Sequence, residues 1–169
     1  MTVKPISERG SIVCRGCNSK NLASVLDLSD QPLPAEYGIH ADEVLDKFPL
    51  HLRICRDCGL GQLGEYVLPD RIFHKTYPYL SSASKYWVSH ARNFAHEMVE
   101  KLSLDKDSFV IELGGNDGYL LSQFQKLGVS VLNVEPPENT AEIARNAGVP
   151  TISKFFGVDL AKDILAEYG

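Results

Sequence analysis

The stretch from Phe109 to Phe124, FVIELGGNDGYLLSQF, decides how the rest of the chain is read. An apolar run closing on Glu112 and Leu113, a glycine-bearing turn and an apolar helix start make the layout of a ligand-binding loop. Gly114 and Gly118 let the backbone approach a ligand closely, and the helix beyond them offers unsatisfied N–H groups. The motif is not the dinucleotide fingerprint G-x-G-x-x-G, because Asn116 and Asp117 follow Gly115. It is E-x-G-x-x-x-G, from Glu112 to Gly118. A carboxylate at the end of the strand would repel a pyrophosphate and suits a cationic ligand, such as the amino group of S-adenosylmethionine. Glu135 stands 21 residues after Gly114, at the end of the next strand, where a carboxylate commonly accepts ribose hydroxyls. A nicotinamide-binding half-domain and a purely structural turn are the competing readings of the glycines.

Downstream, strand and helix alternate. FVIEL reads as a buried strand and YLLSQFQKLG as an amphipathic helix, then SVLNVE, ENTAEIARNAG, PTIS and VDLAKDILAEYG repeat the pattern. This βαβαβα order over 108–169 calls for a parallel sheet with right-handed crossovers, the N-terminal half of a Rossmann-like domain. Glycines at 128, 148 and 169 close the helices.

Upstream, 76–107 reads as a connector and a long helix. Trp87, Ala91, Phe94, Ala95, Met98, Val99 and Leu102 fall on one helical face, and Ser81, Ser82 and Ser84 are candidate N-caps. Tyr77 and Tyr79 in YPYLSS are candidate substrate-side contacts, with packing as the plainer role. The five histidines need no functional role.

The four cysteines all lie in the first 58 residues, as CRGC (Cys14, Cys17) and CRDC (Cys55, Cys58). Each C-x-x-C presents two thiolates from one turn, and two such turns supply the corners of a tetrahedral structural zinc site. A redox pair or disulfides are the alternatives, the latter needing an oxidising compartment. The 37 residues between the pairs exceed the separation of a compact zinc ribbon. Runs at Val25 to Leu28 and Leu50 to Ile54 are expected to pair as strands that bring the turns together. Residues 1–75 are therefore read as a zinc-binding domain stapled by its metal.

A net charge of −5 and a pI near 5.5, without any basic cluster, argue against nucleic acid as a partner. The start MTVKPISERGSIVC holds no apolar leader pattern, and nowhere do eighteen apolar residues run together. Neither secretion nor a membrane is expected, and the cytoplasm is the expected compartment.

Taken together, CRGC, CRDCGLGQL, YPYLSSAS, IELGGNDGYLL and VEPPENTAEIARNAGVPTISKFFG resemble the sugar C-methyltransferase family of deoxysugar biosynthesis. The resemblance covers nearly all of residues 12–169. It implies an N-terminal zinc-binding domain ahead of a class I S-adenosylmethionine domain. It implies that Cys14, Cys17, Cys55 and Cys58 hold zinc and that Glu112, Gly114, Asn116, Asp117 and Glu135 line the donor pocket. It also places Tyr77, Tyr79 and Ser81 near the sugar or the donor. In enzymes this chain resembles, a nucleotide-linked 4-keto sugar loses its C3 proton and the enolate attacks the donor methyl group. The histidine base of that family follows the fourth strand of a seven-stranded sheet, whereas this chain supplies about three strands before Gly169. The expectation is an N-terminal portion, inactive alone. Its open sheet edge would be covered by a missing C-terminal half, a second polypeptide or self-association. A zinc-stapled binding module without methyl transfer is the alternative.

Overall fold

A computed structural model describes residues 12–38, 40, 42–63 and 67–169, and the chain divides into two compact units, Met1–Ile72 and Phe73–Gly169. Residues 1–11, most of the stretch read for a leader pattern, lie outside the described residues.

In the first unit, β1 (Leu22–Pro32) pairs antiparallel with β2 (Lys47–Cys55), and β3 (Gly61–Leu63) joins the far side of β2. The two runs expected to pair do so, with Leu26 opposite Leu52 and Asp27 opposite His51. The register slips between Asp27 and Asp30, where Ser29 takes a left-handed φ of 56° and donates its N–H to Asp27 Oδ1 at 2.9 Å. This sheet covers little. Among the described residues the unit buries Cys14, Leu33, Cys55 and Gln62, while Val25, Leu26, Leu52 and Ile54 remain exposed. So small a core cannot hold three strands without help. A short helix, α1 (Pro69–Ile72), adds one clamp: Arg71 reaches Glu36 Oε1 and Asp46 Oδ2, each at 3.0 Å, and lies over the Phe48 ring.

The second unit opens on the long helix α2 (Lys85–Leu102). Of the three candidate caps only Ser84 serves, its side chain accepting the Trp87 N–H at 3.2 Å; Ser81 and Ser82 instead sit in a 3-10 turn over Ser81–Ala83. There follow β4 (Phe109–Leu113), α3 (Leu121–Lys126), β5 (Ser130–Val134), α4 (Glu138–Asn146), β6 (Thr151–Ile152) and α5 (Val158–Tyr168). The strands form a parallel sheet in the order β4-β5-β6, with Ile111 opposite Leu132 and Val134 opposite Ile152.

The period-two alternation of β5 divides the core between two faces. Val131 joins Ala95, Leu121, Phe124, Val129, Ala144 and Val149 in one cluster, so α2 is part of the α/β unit. Leu132 and Val134 pack with Leu160 and Ile164 of α5 in the other. The apolar face of α2 is wider than the part buried: Ala91 and Ala95 are enclosed, whereas Trp87, Phe94 and Leu102 stay exposed.

The expectation of a buried first strand is corrected. Phe109, Ile111 and Leu113 are 39%, 41% and 53% exposed. Their side of β4 is open because the strand stands at the sheet edge and α5 packs over β5 and β6. Tyr168, stacked on Phe109 at 5.1 Å, reaches back to it. Among the described residues no helix is long and apolar enough to cross a membrane.

Candidate functional site

The four cysteines converge. Cys14 Sγ lies 3.5 Å from Cys58 Sγ and Cys17 Sγ 3.6 Å from Cys55 Sγ, and all four sulfurs fall within 4.8 Å of one another. Tetrahedral zinc with bonds near ~2.3 Å requires sulfurs about 3.8 Å apart, whereas a disulfide requires about 2.05 Å. The donor set therefore fits a zinc ion. The thiols are pushed in opposite directions: the Cys17 N–H does most to draw the Cys14 thiol down to about 7, whereas the neighbouring thiols and burial hold Cys17 up at about 12 and raise Cys58 against their backbone amides. Gly59, at φ +78°, turns the chain so that the Leu60 amide faces the Cys58 sulfur.

The two cysteine turns are also tied to each other by groups other than sulfur. Asp57, inside the second turn, accepts from the Ser19 hydroxyl and from Asn21 Nδ2 at 2.8 Å. Gln62 on β3 accepts the Arg15 N–H at 2.9 Å and donates to Val13 O at 3.0 Å. Three of the histidines are engaged locally: His51 with Asp27 and Ser24, His74 with Thr76, His90 stacked on Trp87.

In the second unit, the glycine loop between β4 and α3 gathers carboxylates. Glu112, at the end of β4, is largely buried and one of its oxygens, Oε2, has no hydrogen-bond partner. Burial first, then the neighbouring charges of Glu135 and Asp117, push its carboxyl up to about 7. Asp117 and Asn133 each leave a buried side-chain oxygen, Oδ1, equally unpartnered. Gly114, at φ +78°, has open space where a side chain would stand. Three orphaned acceptors beside an uncovered stretch of backbone fit a ligand that brings N–H or O–H donors and positive charge.

Glu135 directly follows β5, at the strand end. It is buried, with Oε2 accepting the Asn116 N–H at 3.0 Å and Oε1 accepting from Thr140 Oγ1 at 2.8 Å. Burial raises its pKa and these two bonds oppose the rise. Its evident work is to hold the loop. Gly118, at φ +77°, is needed for packing too, since a Cβ there would lie 3.0 Å from Val149. Asn116 and Asp117 turn their side chains onto the tyrosine segment: Asn116 Oδ1 accepts the Ser81 N–H at 2.8 Å and Asp117 Oδ2 the Ser82 N–H at 3.0 Å. Tyr77 is bound through its backbone to Asn139, and Tyr79 presents a side chain 56% exposed.

Several residues of this site escape the sequence reading. Tyr119 lies 6.1 Å from Trp87, and burial raises its phenol above the usual range. Asn133 is a fully buried amide in an otherwise apolar strand, and that incongruity was its one signal.

Residues 14–73 match a family described as "Putative zinc binding domain". That match falls almost entirely within the first unit. Its matched residues take in all four cysteines of the cluster. Beyond the zinc-binding domain, the chain is 30% identical over 169 residues to C-methyltransferase NovU of Streptomyces niveus, a match taking in 99% of this chain and 39% of that protein. The resemblance to a C-methyltransferase thus runs through both units, and the chain spans about two fifths of that relative's length. A Thermoplasma acidophilum protein of known crystal structure matches at 24% identity and a TM-score of 0.34, over 38% of this chain and 36% of that one.

Proposed function

We propose that the second unit binds S-adenosylmethionine and that the chain supplies the zinc-binding and donor-binding parts of a C-methyltransferase. The observation that carries this is the set of buried, unpartnered acceptors, Glu112 Oε2 and Asp117 Oδ1, beside the open backbone of Gly114. S-adenosylmethionine supplies an electrophilic methyl group on a sulfonium. The chain's own residues bind and orient. The Glu112 carboxylate receives the ammonium group, and Gly114 admits the donor close to the main chain. Glu135, with Thr140, fixes the Asn116 amide and can meet ribose hydroxyls only through its remaining lone pairs. The zinc holds the first unit together and takes no part in the reaction, because four sulfurs leave it no open position.

The acceptor is a nucleotide-linked 4-keto deoxysugar, methylated at C3 through an enolate. Tyr77, Tyr79 and Ser81 stand on the acceptor side of the donor. This part of the proposal rests on the family resemblance. Proton abstraction at C3 is assigned to structure beyond these residues, so the chain by itself transfers no methyl group. The open face of β4 supports that assignment, since further sheet and helix would cover it. The setting is the cytoplasm, where thiolates stay reduced for zinc.

Calorimetric titration of S-adenosylmethionine into the zinc-loaded chain, with Glu112→Gln alongside, tests the proposal. Micromolar binding that is lost in the variant is expected. Equal binding by both proteins would remove Glu112 from the site, and absence of heat in both would make the chain a zinc-stapled module that needs a partner.

A further inference from the structure

The segment Tyr77–Ser82 has the sequence YPYLSS and is held by three side chains, Asn116 and Asp117 of the glycine loop and Asn139 in the first turn of α4. At Tyr77, Asn139 makes a two-point contact: Oδ1 accepts the Tyr77 N–H at 3.1 Å and Nδ2 donates to Tyr77 O at 2.7 Å. Asn116 makes a second two-point contact farther along, spanning two residues, with Oδ1 accepting the Ser81 N–H at 2.8 Å and Nδ2 donating to Tyr79 O at 3.1 Å. Asp117 Oδ2 adds the Ser82 N–H at 3.0 Å. An amide offering one acceptor and one donor side by side imitates a neighbouring strand's backbone. The segment is thus satisfied as if it were paired in a sheet.

Asn116 is the hub. Its N–H goes to Glu135 Oε2 at 3.0 Å, its carbonyl accepts from Asn133 Nδ2 at 3.2 Å, and its side chain is spent on the segment. Its φ of 51° is a left-handed conformation that asparagine tolerates better than most residues. Each polar group of Asn116 thus has a partner within the fold, and what remains is one Nδ2 hydrogen and the spare lone pairs of its oxygens.

We propose that Asn116 and Asn139 are positioning residues, two backbone clasps that fix the Tyr77–Ser82 segment over the glycine loop. Tyr79 is then set by the conformation of residues 114–118, and whatever orders that loop orders the segment. This deepens the donor-site reading, on which its ligand-dependent half rests. The clasps themselves do not depend on it.

The test is amide hydrogen exchange across residues 76–84 in the zinc-loaded chain, with and without S-adenosylhomocysteine, in wild type, Asn116→Gly and Asn139→Ala. Glycine keeps the positive φ of position 116 while removing the clasp, and the alanine variant removes the other clasp without touching the loop. In Asn116→Gly the amides of Ser81 and Ser82 should exchange about tenfold faster, with β5 amides unchanged. In Asn139→Ala the acceleration should centre on Tyr77. In wild type the nucleoside should slow exchange at Ser81 and Ser82, and in Asn139→Ala that slowing should persist while the Tyr77 amide stays fast, a decoupling that general destabilisation would not produce. Unchanged exchange at Ser81 in a folded Asn116→Gly chain would overturn the proposal, as would unchanged exchange at Tyr77 in Asn139→Ala. If the wild type fails to bind the nucleoside while the ligand-free differences appear, the clasps stand and the donor reading fails.

Discussion

Gly115 and Asn133 approach so closely that a methyl group on Gly115 would lie 2.4 Å from Asn133 Oδ1. Glu112 Oε2 would be 2.8 Å from the same point. Neither oxygen can easily retreat, because Asn133 is fully buried and its Nδ2 is committed to Asn116 O. Gly115→Ala is therefore expected to cost about 1–3 kcal/mol by overpacking. Urea unfolding followed in the second unit measures this, and S-adenosylhomocysteine binding should fall with it.

Glu112 ties stability to pH. Its carboxyl is raised from 4.5 to about 7 in the folded chain, so the folded state holds a proton that the unfolded chain releases earlier. The stabilising contribution is complete below about pH 4.5 and is lost as pH rises through about 7. Glu112→Gln, which never ionises, should match wild type at pH 4 and exceed it at pH 8 by an amount on the order of 2 kcal/mol, reduced for partial exposure. Unfolding midpoints of both proteins across that range decide it. Binding of a cationic donor should strengthen over the same rise in pH, since it needs the carboxylate.

Metal removal should separate the two units. A strong chelator is expected to abolish exchange protection in β1 and β2 while that of β5 persists, because the first unit buries too little without its metal. All four thiols should then react with a thiol reagent at similar rates.

Asp57 links the two cysteine turns through Ser19 and Asn21. Asp57→Ala should lower zinc affinity about 10–100-fold while leaving the ligand set intact. Competition with a chromophoric chelator gives the value.

Ser84 caps α2, and Ser84→Ala should cost about 1 kcal/mol. The neighbouring Ser82→Ala should be close to neutral, since Ser82 is bound to Asp117 through its backbone N–H. Thermal unfolding of the two variants distinguishes a cap from a bystander.

The features legible in the sequence are those fixed locally. Cysteine spacing marks the metal cluster because each turn presents its own pair of sulfurs, and apolar periodicity marks α2, β5 and α4 because each buries its own face. Of the candidate site, Glu112, the glycines and Glu135 are legible as local pattern, while Asn116, Asp117 and Ser81 enter through the family resemblance. What binds them together joins positions far apart: Asn139 to Tyr77 across 62 residues, Asn116 to Ser81 across 35, Asp57 to Asn21 across 36. No local pattern announces such pairs. Glu135 shows the same limit, since its place at a strand end is legible while its bonds to Thr140 and the Asn116 amide are not. The open edge of β4 was expected from the small number of strands, but its open face was not, because FVIEL reads alike whether or not a helix packs over that side.

That open side also governs how the protein behaves in a cell. Phe109, Ile111 and Leu113 stand at alternate positions and form a ready grip for a chaperone that recognises short extended apolar segments. Soluble yield from an expressing cell is then set by how quickly this row finds cover, and a well-formed zinc cluster elsewhere in the chain would not rescue a preparation in which it does not.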